Sequence, residues 1–91
     1  MHGKNAPSHW VEDQRGRIEN ITFGKTTISI NTPSQELMDC LGEPDEVQTS
    51  RDVNGVVSSV VAYWIEGCYY VFYLDSALPG MIVAIEIDGG F

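Results

Sequence analysis

The chain has 91 residues, 43% of them hydrophobic, and carries thirteen Asp and Glu against five Lys and Arg, a net charge of -8. That length makes one domain, and the apolar content argues against intrinsic disorder. The acidity works against binding to nucleic acid or anionic membranes and speeds association with basic partners.

Residues 1–16 are polar and without periodicity, and read as a flexible arm with some order expected near Trp10 and Val11. His2 and His9, seven apart in that arm, make a poor metal pair. The N-terminal residues hold no apolar stretch to serve as a signal peptide, and no run approaches a membrane span. Cys40 and Cys68 do not make a disulfide framework. The expectation is a cytoplasmic, reduced protein.

Residues 17–91 are expected to form a single α+β domain. Ile18–Phe23 and Thr26–Ile30 alternate around Gly24-Lys25, which suits a two-residue type II′ hairpin turn. Ile21, Phe23, Ile28 and Ile30 share one side, with Ile21 opposite Ile28, and Thr22, Thr27 and Ser29 are left to meet water. Thr32-Pro33-Ser34-Gln35 reads as a capping box with proline at the first helical position. The helix is expected to end near Leu41, at a Gly42 cap with Pro44 just beyond. Its stripe is Leu37, Cys40 and Leu41, with Met38 at the edge. About nine residues long, it must pack on a sheet.

Four strands follow: Glu46–Val53, Val56–Ile65, Tyr69–Leu74 and Met81–Ile87. Asn54-Gly55 and Glu66-Gly67 make the first two turns, the loop Asp75–Gly80 the third, and a short flexible tail ends at Phe91. The order is β-β-α-β-β-β-β, one short helix on an antiparallel sheet of four to six strands. Met81, Val83, Ile85 and Ile87 are expected to face the helix, with Tyr70, Phe72 and Leu74 beside them. Tyr69, Val71, Tyr73, Ile82, Ala84, Glu86 and Asp88 then face away. In the long strand both sides are apolar: Val57, Val61, Tyr63 and Ile65 on one, Val56, Val60, Ala62 and Trp64 on the other. One helix covers one sheet face. The second, aromatic and edged with carboxylates, is covered by the first hairpin, by the arm at Trp10 or by a second copy, or else it binds a partner.

Gly24-Lys25-Thr26 ends like a phosphate-binding loop, but Glu19 stands where the first glycine is needed and a strand follows. No histidine lies outside the arm to activate a Ser or Cys nucleophile. Glu43, Asp45 and Glu46 cluster after the helix with no apolar pocket to raise a pKa, which reads as a solvated acidic loop. Lys25 and Arg51 are too few to bind nucleic acid. The residues therefore point to a protein that is not an enzyme and needs no cofactor or metal.

The helix exit Leu41-Gly42-Glu43-Pro44-Asp45, the aromatic pair Tyr63-Trp64, the run Tyr70–Tyr73 and the final aliphatic strand resemble SmpA/OmlA-like and β-lactamase-inhibitor-protein-like modules over about 55 residues. They are also similar to small immunity and inhibitor proteins of bacteria and phages. The resemblance implies a scaffold that presents a concave sheet and its loops to a protein partner. From Ile18 onward Lys25 and Arg51 stand against eleven acidic residues, a balance of about -9. The expected function is thus an inhibitor or immunity protein that neutralises a basic partner, a toxin or a nucleic-acid-processing enzyme. Contacts are expected from Glu43, Asp45, Glu46, Trp64, Glu66, Tyr69, Tyr73, Asp75, Glu86 and Asp88. The alternatives are an assembly protein that forms homo-oligomers through its aromatic face, and a DNA mimic.

Overall fold

A computed structural model describes residues 6–89. His2, the first part of the arm and the last two residues of the tail lie outside the described residues. The strands are β1 (His9–Glu12), β2 (Ile18–Phe23), β3 (Thr26–Ser29), β4 (Glu46–Arg51), β5 (Val57–Ile65), β6 (Cys68–Leu74) and β7 (Ile82–Asp88), with one helix, α1 (Ser34–Leu41), between β3 and β4. They form two antiparallel sheets, β1-β2-β3 and β4-β5-β6-β7, rather than the single sheet expected.

The extra strand comes from the arm. β1 pairs with β2, His9 opposite Thr22 and Trp10 opposite Ile21. Its turn is built on Asp13. The Asp13 carboxylate accepts the backbone N–H groups of Arg15 at 2.8 Å and Arg17 at 2.9 Å, while Gly16 N–H bonds the Asp13 carbonyl at 3.0 Å. The β4–β5 hairpin repeats the device. Asp52 accepts Asn54 N–H at 2.8 Å and Val56 N–H at 2.9 Å, and Gly55 N–H bonds its carbonyl at 3.0 Å. An Asp side chain that satisfies local N–H groups makes a turn of Asp-x-x-Gly in both places, so β4 stops at Arg51 instead of running on to Val53. At Gly24-Lys25 the two-residue turn forms as expected, with Ile21 opposite Ile28.

The helix end agrees with the sequence reading and the helix start does not. Gly42 holds φ 81° and ψ −159°, a region open essentially to glycine alone, and its N–H closes on the Met38 carbonyl at 2.8 Å. At the start, Pro33 is the extended cap residue and no side chain caps the helix. The Thr32 hydroxyl donates instead to the Ser29 carbonyl at 2.5 Å, and Gln35 donates to Asp39 one turn on, so there is no capping box. The first turn is anchored from outside. Ser34 N–H bonds the Gly80 carbonyl at 2.7 Å, and Gly80 N–H bonds the fully buried Ser34 hydroxyl at 3.0 Å.

The core lies between the inner face of the larger sheet and a cover made by β2, β3 and α1. Val61, Tyr63, Ile65, Tyr70, Phe72 and Ile85 meet Ile21, Phe23, Ile28, Leu37 and Leu41 there. Phe23 sets its edge against Tyr70 at 6.0 Å, and Tyr63 against Phe72 at 6.1 Å. Each of the fully buried isoleucines contributes about 1.5–3 kcal/mol over an exposed one. Thr22, expected to meet water, is only 8% exposed because β1 lies beside it, and its hydroxyl shares a hydrogen bond with Thr27 at 3.0 Å. In β7 a register shift opposite Tyr73 and Leu74 pairs Leu74 with Ile82 and leaves Val83 as the extra residue. A bulge of this kind exchanges the faces on its two sides. Ile82 is therefore buried while Met81 and Val83 are exposed, the reverse of the simple alternation.

Candidate functional site

The outer face of the larger sheet carries no covering element among the described residues, because the first hairpin and the helix share the inner face. Cross-strand register places its residues in rows. One row is Glu46, Ala62, Val71 and Glu86; the next toward the β5–β6 turn is Trp64, Tyr69 and Asp88; on the other side lie Gln48, Val60, Tyr73 and Ala84.

Tyr69 and Tyr73 stand two residues either side of Val71 and reach into its row in opposite directions. The Tyr69 hydroxyl donates to Glu46, and the Tyr73 hydroxyl donates to Glu86 at 2.7 Å. Ala62 and Val71 are consequently only 3% and 8% exposed although they point outward. The two Tyr–Glu bridges hold both carboxylates in place. They also push both phenols above the ordinary tyrosine range, since an ionised phenol would lose its bond to the carboxylate. Trp64, 54% exposed, stacks at a tilt on Tyr69 with ring centres 4.7 Å apart. Asp45 accepts the Trp64 N–H at 2.7 Å, which fixes the loop after α1 to the edge of this cluster.

Seven of the ten residues named from sequence therefore gather on or beside one face: Asp45, Glu46, Trp64, Tyr69, Tyr73, Glu86 and Asp88. Three lie elsewhere. Glu43 is exposed in the loop after α1. Glu66 sits in the β5–β6 turn and accepts Ala6 N–H at 3.3 Å, and Asp75 closes the β6–β7 loop by accepting Met81 N–H at 2.9 Å.

A groove of about 910 Å³ continues the face past β7, bounded by Trp10, Glu12 and Glu19 on one side and Tyr73, Val83 and Glu86 on the other. The sequence reading missed it, having left Trp10 in an arm. The Asp-x-x-Gly turn at Asp13–Gly16, read as the hairpin signal it is, places Trp10 on a strand beside Ile21. Arg17, also on this groove, is held by Asp13 at 3.3 Å, the one ion pair among the described residues. Face and groove together are thus aromatic and negative. No group of three or more His, Cys, Asp or Glu able to hold a metal ion occurs among the described residues, and no helix there is long and apolar enough to cross a membrane. No protein-family model, curated protein or solved structure matches the chain.

Proposed function

We propose that the chain is a non-enzymatic binding protein, an inhibitor or immunity protein whose outer sheet face takes a basic surface of a partner protein. The observation that carries this reading is the pair of Tyr–Glu bridges beside an exposed Trp64. Solvated glutamates on a purely soluble surface have no need of orientation. These two are fixed next to an aromatic platform, as pre-organised contacts are, which lowers the entropy lost on binding. Tyrosine and tryptophan supply large rigid contact area, and fixed carboxylates choose a partner rich in Lys or Arg. The helix-exit likeness to inhibitor modules and the charge of -8 agree with it.

The test is capture from host extract followed by binding kinetics. Wild type should recover a basic protein, with an association rate that falls about tenfold or more from low salt to about 0.5 M NaCl. Glu46→Gln with Glu86→Gln should slow association, and Trp64→Ser should speed dissociation. An acidic or neutral binding partner, or kinetics indifferent to salt and to all three substitutions, would overturn the reading.

A further inference from the structure

Register sets Trp10 of β1 opposite Ile21 of β2, so the two side chains leave the smaller sheet on the same side, the side that closes the core. Ile21 is fully buried, yet Trp10 is 43% exposed. The difference lies beneath them. β2 packs on β7, the last strand of the larger sheet, and β1 overhangs that edge with no strand of the described residues below it. The space under the overhang is the groove of about 910 Å³.

Its two walls repeat one unit. On β1 the Trp10 indole N–H donates to the Glu12 carboxylate at 3.2 Å, and on the larger sheet the Tyr73 hydroxyl donates to Glu86 at 2.7 Å. Each ring is thus held with a carboxylate at its polar edge. The register shift at Val11–Glu12 leaves Glu19 as the extra residue of β2, and its exposed carboxylate, without a partner among the described residues, also lines the groove. Arg17 is there too, but Asp13 already holds it in a 3.3 Å ion pair, so those two charges cancel. Between the walls Ile18, Ile30 and Ile87 are half-buried.

We propose that this groove takes an extended, arginine-rich segment of the partner protein. The assignment rests on the proposed function for the occupant being part of a protein, and on charge complementarity for its being basic. A guanidinium lies flat on an aromatic ring and gives paired N–H bonds to a carboxylate, so it satisfies both halves of each wall unit. Its methylene stem covers apolar surface such as the isoleucine floor. The volume is near the top of the range for small-molecule sites, about 300–1,000 Å³, and admits a stretch of chain rather than one side chain.

A synthetic peptide of alternating Arg and Val, about eight residues long with both ends blocked, tests the assignment at about 0.15 M salt, where long-range attraction is screened. In NMR spectra the Trp10 indole N–H and the amides of Glu19 and Ile87 should shift, while the Trp64 indole N–H stays in place. The same peptide with Gln for Arg should bind about tenfold more weakly. Glu12→Gln with Glu19→Gln keeps an acceptor for the Trp10 indole, removes two charges, and should weaken the Arg peptide about tenfold. Trp10→Leu keeps an apolar side chain and should weaken it about fivefold. Shifts confined to Trp64 and its neighbours would overturn the groove and leave the outer face standing as the binding surface. No binding of the Arg peptide, equal binding of the Gln peptide, or indifference to both substitutions would overturn it as well. The wild-type shifts decide the case even where a substitution unfolds β1.

Discussion

Asp13 and Asp52 each accept two backbone N–H bonds at the mouth of a turn, and Asp45 and Asp75 each accept one from a neighbouring strand or loop. Glu46 and Glu86, a methylene longer, reach over the sheet to tyrosine hydroxyls instead. Among these six, the aspartates hold backbone N–H groups and the two glutamates hold tyrosine hydroxyls, a division that net charge hides. Tyrosines divide likewise. Tyr63 is buried and donates to the Gly42 carbonyl at 2.7 Å, and burial pushes its phenol far up. Desolvation, helped by a bond to Cys68, pushes the Tyr70 phenol up to about 12. The stabilising contribution of such a neutral phenol is complete below the pKa of a free tyrosine, about 10. As pH rises past that value the unfolded chain ionises first, and the contribution is lost by the time pH passes the folded value. Urea midpoints should therefore fall between about pH 10 and 12. Tyr70→Phe, which keeps the ring against Phe23, should flatten that fall, and an equally steep decline in the variant would refute the assignment.

At the scale of elements, α1 tests two accounts of how a short helix begins. The capping-box signature makes Gln35 the residue that matters; the structure makes it Ser34, through the 75–81 loop. Gln35→Ala should change stability by less than about 0.5 kcal/mol, because its bond to Asp39 is an exposed one. Ser34→Ala leaves the Gly80 N–H without its buried partner and should cost about 1–3 kcal/mol in urea unfolding. The reverse order would restore the capping box. The same contrast explains which elements were legible in sequence. The Gly24-Lys25 hairpin, the Gly42 helix stop and the alternation of Tyr69–Leu74 are local, set by residues within a few positions, and they stand as read. The start of α1 depends on a loop 46 residues away, and the faces of Met81–Val83 depend on a bulge created by pairing with β6. Neither leaves a trace in its own stretch of sequence.

Across the whole molecule, division into two sheets decides what the surface can be. The expectation of one helix on one sheet already left a second face open to cover. The first hairpin went to the helix side and closed the core there, so Trp64, Tyr69 and Tyr73 remain outside as a set, while Tyr63, Tyr70 and Phe72 fill the core. Which residues of β5 and β6 face outward was readable from alternation; the rows they form, and the reach of Tyr69 and Tyr73 in opposite directions, were not, because both depend on which strands flank β6 and in what register. The cost of this arrangement is electrostatic. Carboxylates of β4, β7, the helix exit and the turn at Glu12–Asp13 share one small body, and Arg17–Asp13 is the one ion pair among the described residues. Mutual repulsion of this kind destabilises a compact state and is relieved by screening. The Debye length falls from about 30 Å to about 8 Å between 0.01 M and 0.15 M salt, so most of the relief comes at modest ionic strength. The thermal midpoint should rise by several degrees over that range in NaCl, and calorimetry at fixed pH and protein concentration measures it. Replacing Glu86 by Gln should raise the midpoint at low salt more than at high salt, or lower it less, since the substitution removes one repelling charge and keeps an acceptor for Tyr73. A midpoint that fell with added salt would mean attractive pairs outweigh the repulsion, and that the surface is not the uniformly negative one described.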